Sequence, residues 1–283
     1  MTTLNKRVDM IGYITVRNSN PNGDLDMENK PRQDSEGYGY MTDVCLKRTM
    51  KDNVSLLYGG KPGYDMYIQK DRVALESKFE QARDEIDGVA DLPVPAFEDA
   101  TKARLCKKYY DVRTFGAVIT SLTKIAGADG QIDGPVSVTF AESLEPIDPI
   151  QLSVDRVSIQ TKKDAEKKTT EIGKKWIVPY AVYRFEVHVS PAKAKRTGFS
   201  EEDLNILIES IKSMFDNNRT SSKNDMELTK LFVFEHESNL GNCPTAKLNS
   251  LVHVKKITPD LGRDYYDITI DESNIPNGVT LIQ

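Results

Sequence analysis

Histidine, cysteine and tryptophan are scarce in this sequence: three, three and one among 283 residues. His188 and His253 fall within strand-like alternation and His236 at the end of such a run, where structural histidines pack. There is no His-x-x-x-His pair, and no serine or cysteine sits in a nucleophile elbow, so hydrolase and zinc-protease constellations are missing. Cys45, Cys106 and Cys243 are odd in number, far apart and outside any metal-ligand spacing, and they read as reduced thiols. No apolar run approaches membrane-spanning length and no apolar segment follows the N-terminus. A soluble, cytoplasmic protein without a membrane partner is expected. Gly59-Gly60-Lys61 lacks both the spacing and the following hydroxyl residue of a phosphate loop.

A surplus of positive charge is also missing. Thirty-eight Lys and Arg stand against 43 Asp and Glu, a net charge of −5, whereas nucleic-acid binders are usually basic. The charge is segregated, however, and local clusters rather than sums bind phosphate. Residues 76–99 are acid-rich, residues 102–113 are basic, and residues 162–175 are basic again.

Regular patterning begins at once. Val8, Met10, Ile14 and Val16 alternate as in a strand with one buried face. The turn from Asn18 to Asp24 ends it, and Thr42 is placed to cap a helix whose inner face is Leu46, Met50, Val54 and Leu57. Lys47, Arg48 and Lys51 lie off that face, either as a solvated surface or as a grip on a polyanion backbone. Residues 58–128 read as a helical insertion. Its first helix carries Leu75, Phe79, Ala82 and Ile86, its second runs from about Glu98 to Val112, and its third starts at Phe115 with Val118, Leu122 and Ile125. A strand through Val136, Val138 and Phe140 follows, then an exposed arm over residues 146–175 ending in Lys174, Lys175 and Trp176. That arm reads either as a flexible charged loop or as an element that orders on nucleic acid.

The strand Trp176–Val189, a capping box at Ser200 and the strand Lys230–Glu235 complete the core, with one or two further strands after Gly241. Without the insertion and arm the order is β-α-β-β-α-β, an α+β, ferredoxin-like arrangement shared with RNA-recognition motifs. Tyr13, Tyr183 and Phe185 are scattered as core aromatics are, so tracking of a backbone by helix and loop is favoured over base stacking on the sheet. The loop from Asn18 mimics a calcium loop but has Asn29 at its twelfth position. Asp24, Asp26 and Glu28 read as a solvated acidic turn or as holders of magnesium.

Five motifs occur in a fixed order: Asn20-Pro21-Asn22-Gly23-Asp24; Thr42-Asp43-Val44-Cys45-Leu46-Lys47-Arg48; Asp111-Val112-Arg113-Thr114-Phe115-Gly116-Ala117; Gly134-Pro135-Val136; and Lys175-Trp176-Ile177-Val178-Pro179-Tyr180. Together they resemble the backbone-subunit (Cas-seven) family of CRISPR Cascade complexes, and within it the type I-C version. The resemblance implies a single palm domain over residues 1–283, a modified RNA-recognition motif with a helical finger at 58–128 and a protruding thumb hairpin at 146–175. It implies copies stacked head to tail along one CRISPR RNA, each thumb flipping out a base, beside other Cascade subunits. Target DNA would pair with the guide, and cutting would belong to a recruited helicase-nuclease. Asn20, Asn22, Lys47, Arg48, Lys51 and Arg113 would hold RNA phosphates, with no catalytic residue and no cofactor or metal. Two other functions stay open: a metal-dependent endoribonuclease using Asp24 or Asp26, and a protein-assembly module without a nucleic-acid role.

Overall fold

The computed structural model describes residues 2–125, 127–156, 171–260, 262 and 264–282. The chain starts with β1 (Val8–Ser19), the small hairpin β2 (Gly23–Asp24) and β3 (Lys30–Pro31), β4 (Tyr38–Met41) and α1 (Asp43–Tyr58). The insertion holds α2 (Leu75–Asp84), α3 (Val94–Lys108), α4 (Tyr110–Phe115), β5 (Gly116–Val118), α5 (Thr120–Thr123) and β6 (Gln131–Asp133). Then come β7 (Val136–Val138), β8 (Ala141–Pro146), β9 (Ile150–Arg156) and the long β10 (Glu171–Val189). Helices α6 (Pro191–Thr197) and α7 (Glu201–Ser213) precede β11 (Met226–His236). The chain closes with α8 (Thr245–Asn249), β12 (Val252–Ile257), β13 (Tyr265–Ile270) and β14 (Val279–Leu281).

β1 is the axis. It pairs antiparallel with β10 over Val8↔Val189 to Ser19↔Val178, and with β11 over Val8↔Glu235 to Val16↔Met226. The sheet runs β14-β11-β1-β10-β8-β4, with β7 also on β10. Counting only core strands, the order is fourth, first, third, second, with α1 and α7 as the two crossover helices. This is the expected α+β fold.

The expected single buried face of β1 is a correction. Met10, Ile14 and Val16 pack under Leu46 and Met50 of α1 and Leu204, Leu207 and Ile211 of α7. Ile11 and Tyr13, on the other face, are equally buried, because Leu248, Leu251, Ile268 and Val279 cover them together with Phe232 and Phe234. Gly12 faces Phe185 across the ladder, and a Cβ there would lie 2.3 Å from the Phe185 ring. The missing side chain makes room for the aromatic one.

Both predicted caps form. Thr42 accepts the Cys45 N–H, and Ser200 and Asp203 make a reciprocal capping box. Leu57, expected inside, is largely exposed, and Asn53 takes the inner position by donating to the Ser210 carbonyl at 2.9 Å. Phe140 lies beyond the end of β7, exposed, and stacks on Tyr40.

The insertion has its own core of Phe79, Ala82, Leu105, Tyr109, Val112 and Leu122. Its predicted second helix is two, broken at Tyr109, whose φ of −110° and ψ of 116° are extended. The predicted third helix is replaced by β5, paired with β6, and the four-residue α5. Gly116 ends α4 at φ +76°, with the Ile132 carbonyl only 2.2 Å from where a Cβ would stand, so neither a helix nor a side chain fits. Within the arm, β9 pairs antiparallel with the first part of β10, Ile150↔Ile177 to Arg156↔Glu171. Lys162, Lys163, Lys167 and Lys168 lie outside the described residues. Among the described residues no helix is long and apolar enough to cross a membrane.

Candidate nucleic-acid interface

The sheet cannot serve as a stacking platform, because helices cover one face and the C-terminal segment covers the other. The cationic surface lies instead along the outer side of α1. Its helix start is set by Asn22, whose Oδ1 accepts the Thr42 N–H at 3.0 Å and the Thr42 hydroxyl at 3.3 Å. Asn20 is buried and donates to the Asn29 carbonyl at 2.7 Å, and its Oδ1 has no hydrogen-bond partner among the described residues. Both asparagines therefore brace the loop before α1. Asp24 is engaged as well, with Arg32 at 2.8 Å and the Asp26 N–H. Among the described residues no three His, Cys, Asp or Glu side chains form a group able to hold a metal ion.

Lys47, Arg48 and Lys51 line one wall of a groove of about 480 Å3, and Lys70 lines the other. Four cations thus face two carboxylates, Asp52 and Asp111. Lys47 pairs with Asp43 at 2.9 Å and Arg48 with Asp52 at 3.6 Å, one helical turn away in each case. The exposed Arg48–Asp52 pair contributes little and exchanges readily for another anion, and the half-buried Lys47–Asp43 pair is also open to solvent on one side. The Lys51 ammonium donates to the Ile68 carbonyl at 3.1 Å and lies 3.7 Å from Asp111. Val44 and Ile68 add exposed apolar surface beside these charges.

Lys70 escapes the sequence reading, since it sits in a loop without periodicity. The loop is carried to α1 by Asp111, buried, whose two oxygens accept the N–H groups of Tyr67 and Ile68 at 2.7 and 2.9 Å. Asp111 heads the third motif, and that was the available signal.

Arg113, expected on RNA, is not in this groove. Its guanidinium is buried, forks onto both oxygens of Asp203 at 2.8 and 3.0 Å, and donates to the carbonyls of Cys106 and Gly63. It clasps the insertion to the start of α7. Gly134 belongs to the same junction, where a Cβ would lie 2.2 Å from the Gly116 nitrogen. Lys174 is exposed on the arm, and Lys175 donates to the Ser221 carbonyl. Neither lines the α1 groove. Lys30 lies over the Trp176 ring at 5.7 Å, joining the base of the arm to the loop before α1.

Two histidines form a buried charge cluster on the sheet. Asp9 accepts from His188 Nδ1 at 2.7 Å and His236 Nε2 at 2.9 Å, with Arg7 at 3.0 Å. The Asn242 N–H donates to His236 Nδ1, so its Nε2 carries the proton. Hydrogen bonds to Asp9 and Glu186 push His188 up to about 9. The His188 bond likewise holds Glu186 down at about 2. Burial pushes Asp9 up, and the His188 bond and the Arg7 charge outweigh it and hold the carboxyl below its usual value. These groups stabilise one another and leave no free base.

With this geometry in hand, comparison decides the family. The family model described as CRISPR-associated protein Cas7 matches residues 6–273. The chain belongs to the Cas7 family. The CRISPR-associated protein Cas7 of Haloferax volcanii is 25% identical over 291 aligned positions, covering 97% of this chain and 83% of that protein. A chain of a solved CRISPR RNA-guided surveillance complex in a pre-nicking state is 14% identical with a TM-score of 0.50, covering 81% of this chain and 78% of that one. The latter likeness concerns the fold. For a Cas7-family chain, motif residues such as Asn22, Asp111 and Arg113 now read as builders of the groove and its supports.

Proposed function

We propose that this Cas7-family chain is a non-catalytic, oligomeric backbone subunit that holds the spacer of a CRISPR RNA, as in a type I-C Cascade complex. The observation that carries it is the convergence of Lys47, Arg48, Lys51 and Lys70 on one groove, while the sheet is closed on both faces. Such a groove holds phosphates by charge and leaves bases to their partners, so sequence is read by pairing with target DNA and the protein reads backbone and shape. In this reading residues 58–128 are the finger and residues 146–175 the thumb, with Lys174 and Lys175 placing charge at the thumb's base. Copies stack head to tail through unlike surfaces, a contact that does not close on itself, beside other Cascade subunits. Asn20 and Asn22 act by shaping the helix start, and Arg113 acts as a clasp.

The test is the nucleic-acid content and size of the purified protein. Wild-type protein should elute as a large species with a high ratio of absorbance at 260 to 280 nm, and Lys47→Glu, Arg48→Glu, Lys51→Glu together should remove the nucleic acid. Affinity for RNA should not depend on spacer sequence. It should fall with salt at a log–log slope of about −3 for each copy, given about four phosphate contacts to a single strand. A protein-like spectrum, or a tenfold spacer preference, would overturn the proposal.

A further inference from the structure

A second and larger cleft, of about 720 Å3, lies between the insertion and α6. One wall is the end of α3 with Arg104, Lys107 and Lys108, and the other is the end of α6 with Lys195 and Arg196. Glu85 engages Arg104 and Lys108, the latter at 2.6 Å. Lys107, Lys195 and Arg196 are exposed and form no ion pair among the described residues. Basic last turns complement each helix's own dipole, but that does not explain why two helices aim theirs into one cleft. The α6 wall also holds an unpartnered buried polar group. Thr197, which also lines the cleft, is 6% exposed, and its buried hydroxyl has no hydrogen-bond partner among the described residues. The Arg113–Asp203 pair beneath is self-neutralised, so that Arg104, Lys107, Lys108, Lys195 and Arg196 face only the carboxylates of Asp65 and Glu85.

We propose that this cleft binds a phosphate ester, either a free nucleoside phosphate or one or two phosphodiester links of a strand. Cations converging from two walls match charge concentrated on one phosphorus centre. The volume is that of an ordinary small-ligand site. The proposal does not depend on what the α1 groove binds.

The test starts from full-length protein in which Lys47→Glu, Arg48→Glu and Lys51→Glu disable the α1 groove. Binding of adenosine triphosphate and of a fluorescein-labelled ten-nucleotide single-stranded DNA is measured at low salt, with and without Lys107→Glu, Lys195→Glu and Arg196→Glu. A tenfold or larger loss for both probes, or for either one, supports the site. Loss of the nucleotide alone identifies a free ligand, and loss of the strand alone identifies a phosphodiester backbone. Unchanged affinity for both overturns the proposal. If the charge-reversed protein does not fold, hydrogen exchange on wild type decides: added probe should protect residues 104–108 and 193–198, and no protection there overturns it.

Discussion

The central sheet and the helical insertion hold together by different means. The sheet is a backbone ladder with apolar side chains on both faces, so its cohesion is spread over many similar contacts. The insertion has a smaller core, and its junction with α1 and α7 combines one small apolar cluster (Val54, Tyr64, Met66, Tyr110 and Ile206) with one buried ion pair and a few backbone approaches too close for any side chain. Spread cohesion tolerates substitution and fails globally. A small junction built around one ion pair opens locally first.

The sharpest way to break the comparison is Arg113→Met. Removing one partner of a buried pair leaves Asp203 uncompensated and should cost about 3–5 kcal/mol. Hydrogen exchange should rise across residues 64–71 and 105–115 first, while β1 stays protected. Equal loss in both regions would show that they unfold as one. Next is Ile14→Ala in β1, expected to cost about 2–4 kcal/mol by cavity formation, with a single denaturation transition in which no region opens early.

A third, smaller effect concerns the charge cluster within the sheet. His188 is raised to about 9 from 6.5, so its contribution is complete below about pH 6.5 and is lost as pH rises through 9. Glu186 is lowered to about 2 from 4.5, so its contribution is complete above about pH 4.5 and is lost as pH falls through 2. His188→Gln should flatten the alkaline limb of a denaturation-midpoint profile and leave Arg113-dependent exchange unchanged. The smallest effect on stability is Lys70→Glu, expected within about 0.5 kcal/mol as an exposed substitution. On the proposed function it should still lower the RNA retained on purification, because it reverses one of four groove cations.

The same contrast explains what could be read from the sequence. Alternation in β1 and β10 and the caps at Thr42 and Ser200 are local signals, and each formed where it was expected. The second buried face of β1 was invisible, because its cover is made of Leu248 of α8, Leu251 and the strands β12 and β13, which are themselves mostly exposed. The break at Tyr109 and the strand at Gly116 answer to packing inside the insertion rather than to propensity. In the candidate site, the α1 cations were legible from helical spacing, and Lys70 was not, since only the Asp111 anchor brings it there. Arg113 was misplaced because a basic residue in a motif does not disclose that its carboxylate stands 90 positions later.

The position of β1 also sets a timetable for biosynthesis. This strand leaves the ribosome well before its two neighbours, Val178–Val189 and Met226–Glu235. At ordinary elongation rates that is a wait of roughly ten to thirty seconds with both edges unpaired. For that interval the strand on which the whole sheet is later assembled carries two unpaired edges, the condition under which a strand pairs with another chain.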